Sequence, residues 1–247
     1  MIITVLTLAG LVGCVSDRMT PGGDDFSPTG QVFLSALQQA DWVVEDLQGQ
    51  AIASDQIEVR RVWQGTRCRT TVKNIGGSTL RPASVILFDL EQHGLPADSP
   101  VYGEGFQMLY QNGGTLGQRE AIGNNSDVAH YKIPDLHGLP TAYGVLSINL
   151  AADDSLLLGF TSCERFIGRI SFDAQQLLVS IDAEGIALAP GETWTLPDLA
   201  VLSGPRQGDL FDLLAEAINQ NHPPRIVRPV ATGWCSWDCY RMDVTDQ

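Results

Sequence analysis

From residue 32 to residue 203 the apolar positions recur at the short periods of extended chain. Residues 56–60, Gln-Ile-Glu-Val-Arg, alternate polar and apolar. Arg61 interrupts the alternation before Val62 and Trp63, which predicts a β-bulge. Gln64-Gly65-Thr66 offers a turn, and 67–73 alternates again with Cys68, Thr70 and Val72 on one face. The stretch therefore reads as a hairpin with a short glycine-containing loop. The segments 84–90, 143–150, 155–160, 166–172 and 177–181 are apolar runs of strand length. Ala183-Glu184-Gly185 turns the chain, and 193–202 closes the series. No long helical period stands out in this region. Many short strands punctuated by Gly, Asn, Asp and Pro predict a mainly β chain built as a large antiparallel sandwich.

The pattern changes at residue 208. Leu210, Phe211, Leu213, Leu214, Ala217 and Ile218 lie on one stripe at helical spacing. Asp209 and Asp212 sit near the start, where a carboxylate suits the helix dipole. Residues 208–219 are thus predicted to form an amphipathic helix, stopped by Asn221-His222-Pro223-Pro224-Arg225. A strand-like stretch, 226–234, follows. Asp243 or Thr245 suits the N-cap of a further helix. A chain ending where a helix is due reads as one cut just as a new domain starts.

The first thirteen residues are an almost unbroken apolar run. It is shorter than the ~20 residues that span a bilayer as a helix, and it fits a secretory h-region. It ends in Leu11-Val12-Gly13-Cys14, which resembles the bacterial lipobox, with Cys14 as the lipidated thiol. Residues 16–30 are rich in Gly, Pro and Asp and read as a flexible tether. An export signal normally opens with Lys or Arg, whereas the first charge here is Asp17. Two alternatives stand: a lipoprotein signal whose true start lies upstream, or a buried strand with an accidental motif. The signal implies an exported, periplasmic or cell-surface lipoprotein that meets the membrane only through its lipid. It also places the other four cysteines outside the cytosol, free to pair in any of three ways.

Fifteen Lys and Arg against 29 Asp and Glu give a formal charge of −14. Such a surface repels phosphate backbones, so nucleic acid is a poor partner. With 44% hydrophobic and 18% charged residues, the composition is that of a globular chain. Asp153-Asp154 reads as a solvated turn. His93, His130, His137 and His222 are scattered without a metal-binding spacing, and Cys235 and Cys239 lack a second pair, so no metal is expected. Glycine patterns for nucleotides are absent, as is a Gly-x-Ser-x-Gly elbow, so no cofactor is indicated.

Residues 233–240 read Gly-Trp-Cys-Ser-Trp-Asp-Cys-Tyr. An indole at a strand end suits a sugar, because its flat apolar face covers the C–H face of a pyranose while polar neighbours take the hydroxyls. The alternative is that both tryptophans belong to a core. After a Pro-rich approach, Gly-Trp-Cys-Ser-Trp resembles the motif of glycoside hydrolase family 36, the α-galactosidases and raffinose-synthase-like proteins. Gly103-Glu104-Gly105-Phe106-Gln107 is similar to that family's Gly-aromatic-Gln motif on a sandwich loop. Gly191-Glu192 followed by Trp194 resembles the end of the family's sandwich. The resemblance spans about residues 30–247 and is strong only at 233–237. It implies four parts: signal and tether, 1–30; N-terminal β-supersandwich, 31–203; linker helix, 204–225; and, over 226–247, the first strand of a truncated (β/α)8 barrel. It implies a galactoside partner and a retaining mechanism with two carboxyl groups about 5–5.5 Å apart. Those carboxyl groups belong to later barrel strands, and nothing in 1–247 matches them. The sugar contacts it implies are Trp237 first, Asp238 as a polar neighbour, Trp234 packed beneath, and Phe106 and Gln107 on the sandwich loop. It also implies contact of the sandwich with the barrel or with a neighbouring subunit. Two departures stand out. Asp238 replaces the Tyr common in α-galactosidases and matches the raffinose-synthase-like form, and Leu109 stands where the loop commonly carries Trp. Both imply an altered galactose pocket or another substrate.

Overall fold

A computed structural model describes residues 26–106, 110–122 and 138–223, with Gly233 and Asp243 as isolated positions. Along the chain come α1 (Pro28–Gln39), β1 (Asp41–Asp46), β2 (Ile57–Gln64), β3 (Arg67–Asn74), β4 (Pro82–Glu91), β5 (Val101–Glu104), β6 (Gln111–Gly114) and β7 (Arg119–Ile122). Then follow β8 (Thr141–Tyr143), β9 (Val145–Ala151), β10 (Asp154–Phe160), β11 (Ile167–Phe172), β12 (Gln176–Asp182), β13 (Thr193–Thr195), β14 (Leu199–Gly204) and α2 (Gln207–Asn221). The strands form two antiparallel sheets. One runs β1-β4-β12-β11-β8; the other runs β13-β3-β14-β10-β9-β5-β6-β7, with β2 paired on β3. The mainly β sandwich read from the alternation is therefore the fold, and α2 follows it as expected.

A single core lies between the sheets. Val85, Leu87, Phe88, Ile170, Phe172, Val179 and Ile181 come from the first sheet, and Val72, Leu146, Ile148, Leu156, Leu158, Leu199 and Val201 from the second. The unbroken apolar runs of β10 and β14 have a further cause. Their outward residues Leu157, Ala200 and Leu202 pack against Leu210 and Leu214 of α2. These two strands are covered on both faces, so alternation gives way to continuous apolar sequence. The close approach depends on Gly159, where a Cβ would stand 2.5 Å from Leu214 Cδ2.

The hairpin read at 56–73 is β2–β3, and its register runs without a shift from Ile57 opposite Asn74 to Gln64 opposite Arg67. The bulge expected at Arg61 is absent. Arg61 takes an inward position in place of an apolar residue, and Val62 is the one that faces out, 38% exposed. An arginine can do this because its stem is apolar and its head finds acceptors. The guanidinium lies 4.8 Å from the Phe88 ring centroid and donates to the Leu87 and Ala40 carbonyls, both at 2.7 Å.

A second departure is α1, whose first residues fall in the Gly/Pro-rich stretch that reads as a tether. Ser27 caps it, accepting from Gly30 N at 3.0 Å, and Pro28 suits the first turn. Phe33, Leu34 and Leu37 enter the core while Val32 stays 71% exposed. Only a glycine fits at 30, since a Cβ would lie 2.4 Å from Ser203 Oγ on β14. The run 193–202 also divides. Leu196-Pro197-Asp198 separates β13 from β14, because Pro197 has no N–H to give a ladder. Asp153 lies in the exposed turn joining β9 to β10, and Asp154 opens β10.

Candidate functional site

Of the residues the sequence nominates for sugar contact, Phe106 is described; Gln107, Trp234, Trp237 and Asp238 lie outside the described residues, as does Cys14. Phe106 sits just beyond the β5–β6 pair. There Gly105 N donates to Tyr110 O at 2.7 Å, and a Cβ on residue 105 would meet that same oxygen at 2.1 Å. Glycine is therefore required before the aromatic residue, which gives the Gly-Phe part of the loop motif a steric reason. Phe106 is 45% exposed and meets the Tyr143 ring edge-on, with centroids 5.4 Å apart.

The base beneath Phe106 is held by polar contacts that composition does not announce. Buried Asn112 donates to Thr141 O at 2.9 Å and accepts from Arg119 Nε at 2.5 Å. Arg119 also donates to the Tyr110 hydroxyl and lies 5.4 Å from that ring's centroid. Tyr102 donates its hydroxyl to the Glu104 carboxylate, and this bond, with burial, pushes the phenol up to about 12. The Tyr102 ring meets Phe211 of α2 edge-on at 6.2 Å. Tyr143 and Phe211 in turn line an apolar groove of about 300 Å³ with Phe160, Ile167, Leu214 and Ile218. The arrangement offers an aromatic surface, the Glu104 carboxylate two residues away and an apolar floor.

Of the other candidates, His130, His137, Cys235 and Cys239 lie outside the described residues. Cys68 is buried and Cys163 exposed, and both are free thiols, so these two do not pair with each other. Burial pushes the Cys68 thiol up, away from reactivity. His93 accepts from Leu95 N on Nδ1, which leaves Nε2 to donate to Asp173 O, a structural pairing. Among the described residues no three His, Cys, Asp or Glu side chains gather as a metal site.

No signal in the one-dimensional pattern brings Tyr143 to Phe106, because the two are joined through β8 of the other sheet. Trp194, noted only as part of a terminal motif, is 1% exposed. Its indole N–H donates to Glu192 at 3.0 Å, and Glu192 also accepts from Ala189 N at 2.9 Å. These bonds, the backbone one foremost, hold the Glu192 carboxyl below its ordinary range.

No protein-family model matches the chain, and no curated protein does. Among solved structures, it is similar to the α-galactosidase of Thermus thermophilus in complex with p-nitrophenyl α-D-galactopyranoside, at 16% identity and a TM-score of 0.42 over 76% of this chain and 36% of that one. The same enzyme in complex with stachyose gives 15% identity and a TM-score of 0.39 over 76% and 38%. The chain thus matches little more than a third of the length of these structures.

Proposed function

We propose that this chain is the N-terminal β-sandwich portion of an exported α-galactosidase-like glycoside hydrolase. One observation carries the reading: the order of a two-sheet antiparallel sandwich, a helix ending at Asn221, Pro223-Pro224, and then Gly-Trp-Cys-Ser-Trp-Asp from 233. In this reading the sandwich shapes the rim of the sugar site through Phe106 and its loop. Trp237 covers the apolar face of the sugar, Asp238 takes a hydroxyl, and Trp234 packs below. The hydrolytic carboxyl groups lie on barrel strands beyond this chain, and the reaction retains configuration. Export through the Cys14 lipobox, and contact of the sandwich with a second subunit, belong to the same proposal.

A second reading, a surface-anchored carbohydrate-binding lipoprotein without catalysis, is favoured by the closed core that joins both sheets, α1 and the strands under α2. A third keeps the fold and changes the substrate, to another glycoside or to galactosyl transfer. The separating experiment uses p-nitrophenyl α-D-galactopyranoside. We expect no turnover by the purified 247-residue chain, and turnover once the reading frame continuing past Gln247 is expressed with it. Turnover by the 247 residues alone, or a stop codon directly after Gln247, overturns the first reading.

A further inference from the structure

Away from Phe106, four separate segments meet at an open cleft of about 420 Å³. Arg69 of β3 forms one wall, Thr195 at the end of β13 with the 196–198 link to β14 another, the 162–166 link between β10 and β11 a third, and Asn221-His222 at the end of α2 the fourth. Its volume falls within the roughly 300–1,000 Å³ of small-molecule sites.

The charges in the cleft cancel. Arg69 and Arg165 are matched by Asp198 and Glu164, in a protein whose overall charge is −14. The Arg69 guanidinium meets Asp198 with two hydrogen bonds, Nε to Oδ1 at 3.3 Å and a terminal nitrogen to Oδ2 at 3.2 Å. That pairing raises the arginine's already high pKa. The pair is rigid at its root, since Thr161 N donates to the Asp198 carbonyl at 3.0 Å. Arg165 differs. It is exposed, its Cζ lies 4.9 Å from the Phe166 centroid and 5.2 Å from that of Trp194, and among the described residues its guanidinium has no hydrogen-bond acceptor. Stacking fixes the plane while leaving the N–H donors unspent. On the far wall Asn221 is anchored by donating to Thr161 Oγ1 at 2.8 Å, and His222 Nε2 lies 2.9 Å from Ser162 Oγ.

A net anion or cation gains little from such a cleft, because each unit of charge meets one of each sign. A neutral ligand dense in hydroxyls gains much, since every hydroxyl both donates and accepts. We propose that this cleft is a binding site for a neutral saccharide. Asp198 accepts from ligand hydroxyls while Arg69 and Arg165 donate to them, and Asn221, Ser162 and His222 close the far side. The site stands on its own residues. It rests on the glycoside hydrolase reading only for the choice of galactose as one probe.

The test is saturation-transfer NMR on the 247-residue chain with galactose and glucose, against galacturonate and galactosamine as charged counterparts. The expected result is transfer from a neutral hexose, at least about tenfold weaker binding in Asp198→Asn and in Arg165→Ala, which is the worth of one hydrogen bond to a charged group, and weaker binding of both charged sugars. Arg165→Lys, which keeps the charge and loses the planar fork, is expected to fall with Arg165→Ala; circular dichroism shows whether each variant is folded. Absence of transfer from both neutral hexoses overturns the proposal, as does unchanged binding in folded Asp198→Asn and Arg165→Lys, or preference for galacturonate. Those results leave turnover by the extended reading frame untouched, so the two proposals fail separately.

Discussion

Arg61 and Arg165 begin alike and end differently. Each guanidinium lies about 5 Å from the centroid of a buried aromatic ring, Phe88 in one case and both Phe166 and Trp194 in the other. Arg61 points inward from β2, and its two terminal nitrogens are committed to the carbonyls of Leu87 and Ala40. Burial disfavours its charge and lowers its pKa, against the pull of Cys68 and Asp41. It clamps the edge of one sheet and the end of α1 to the other. Arg165 stands in a loop with water on one side and keeps its donors. The difference teaches that stacking only orients an arginine. What the nitrogens find decides whether it holds the fold together or faces a ligand.

The widest effect is expected from removing the rings under the two stacks. Phe88→Ala and Trp194→Ala should each cost about 3–5 kcal/mol, since both rings are almost fully buried. Urea midpoints with unchanged slope would register it. A much smaller loss at Trp194 would mean that the second stack floats on the surface, and the comparison would fail at its base.

Removing the arginines themselves should separate the pair. Arg61→Ala leaves two shielded carbonyls without their donor and is expected to destabilise by about 2–3 kcal/mol. Arg165→Ala forfeits an exposed cation–π contact and should lose no more than about 0.5–1 kcal/mol, its main effect falling on saccharide binding. Equal losses of stability would show that Arg165 is structural after all.

The smallest effect concerns Glu192, which tethers the Trp194 indole. Its carboxyl is held below the ordinary value of 4.5, mainly by the Ala189 N–H and then by the indole. A depressed carboxylate contributes stability that is fully present above its unfolded pKa and disappears as pH falls through the folded one. Wild type should therefore exceed Glu192→Gln in urea midpoint at neutral pH, with the gap closing below 4.5. A gap that stays constant to pH 3 would remove the carboxylate from the support of the Arg165 platform.

Much of the sandwich could be read from spacing alone. The alternations at 56–60 and 67–73 and the apolar runs of β4, β9, β10, β11 and β12 each became strands, and the stripe from Leu210 to Ile218 became α2. The misreadings share one cause. Arg61 looked like a fault in the alternation because its acceptors, Leu87 O and Ala40 O, belong to other segments. Pro28 to Gly30, at the start of α1, looked like the end of a tether because the partner of Gly30, Ser203, is far away in sequence. The surroundings of Phe106 were half visible: Gly105 before an aromatic residue, but not Tyr143 or the Asn112–Arg119 base.

Local periodicity determined which residues of this chain extend, which coil and which side of each is apolar, because those choices depend on neighbours two to four positions apart. Composition likewise set the anionic surface. Folding alone decided that Arg69, Arg165, Asp198 and Asn221 share one neutral cleft. Four segments contribute to it, and nothing in any one of them records the other three.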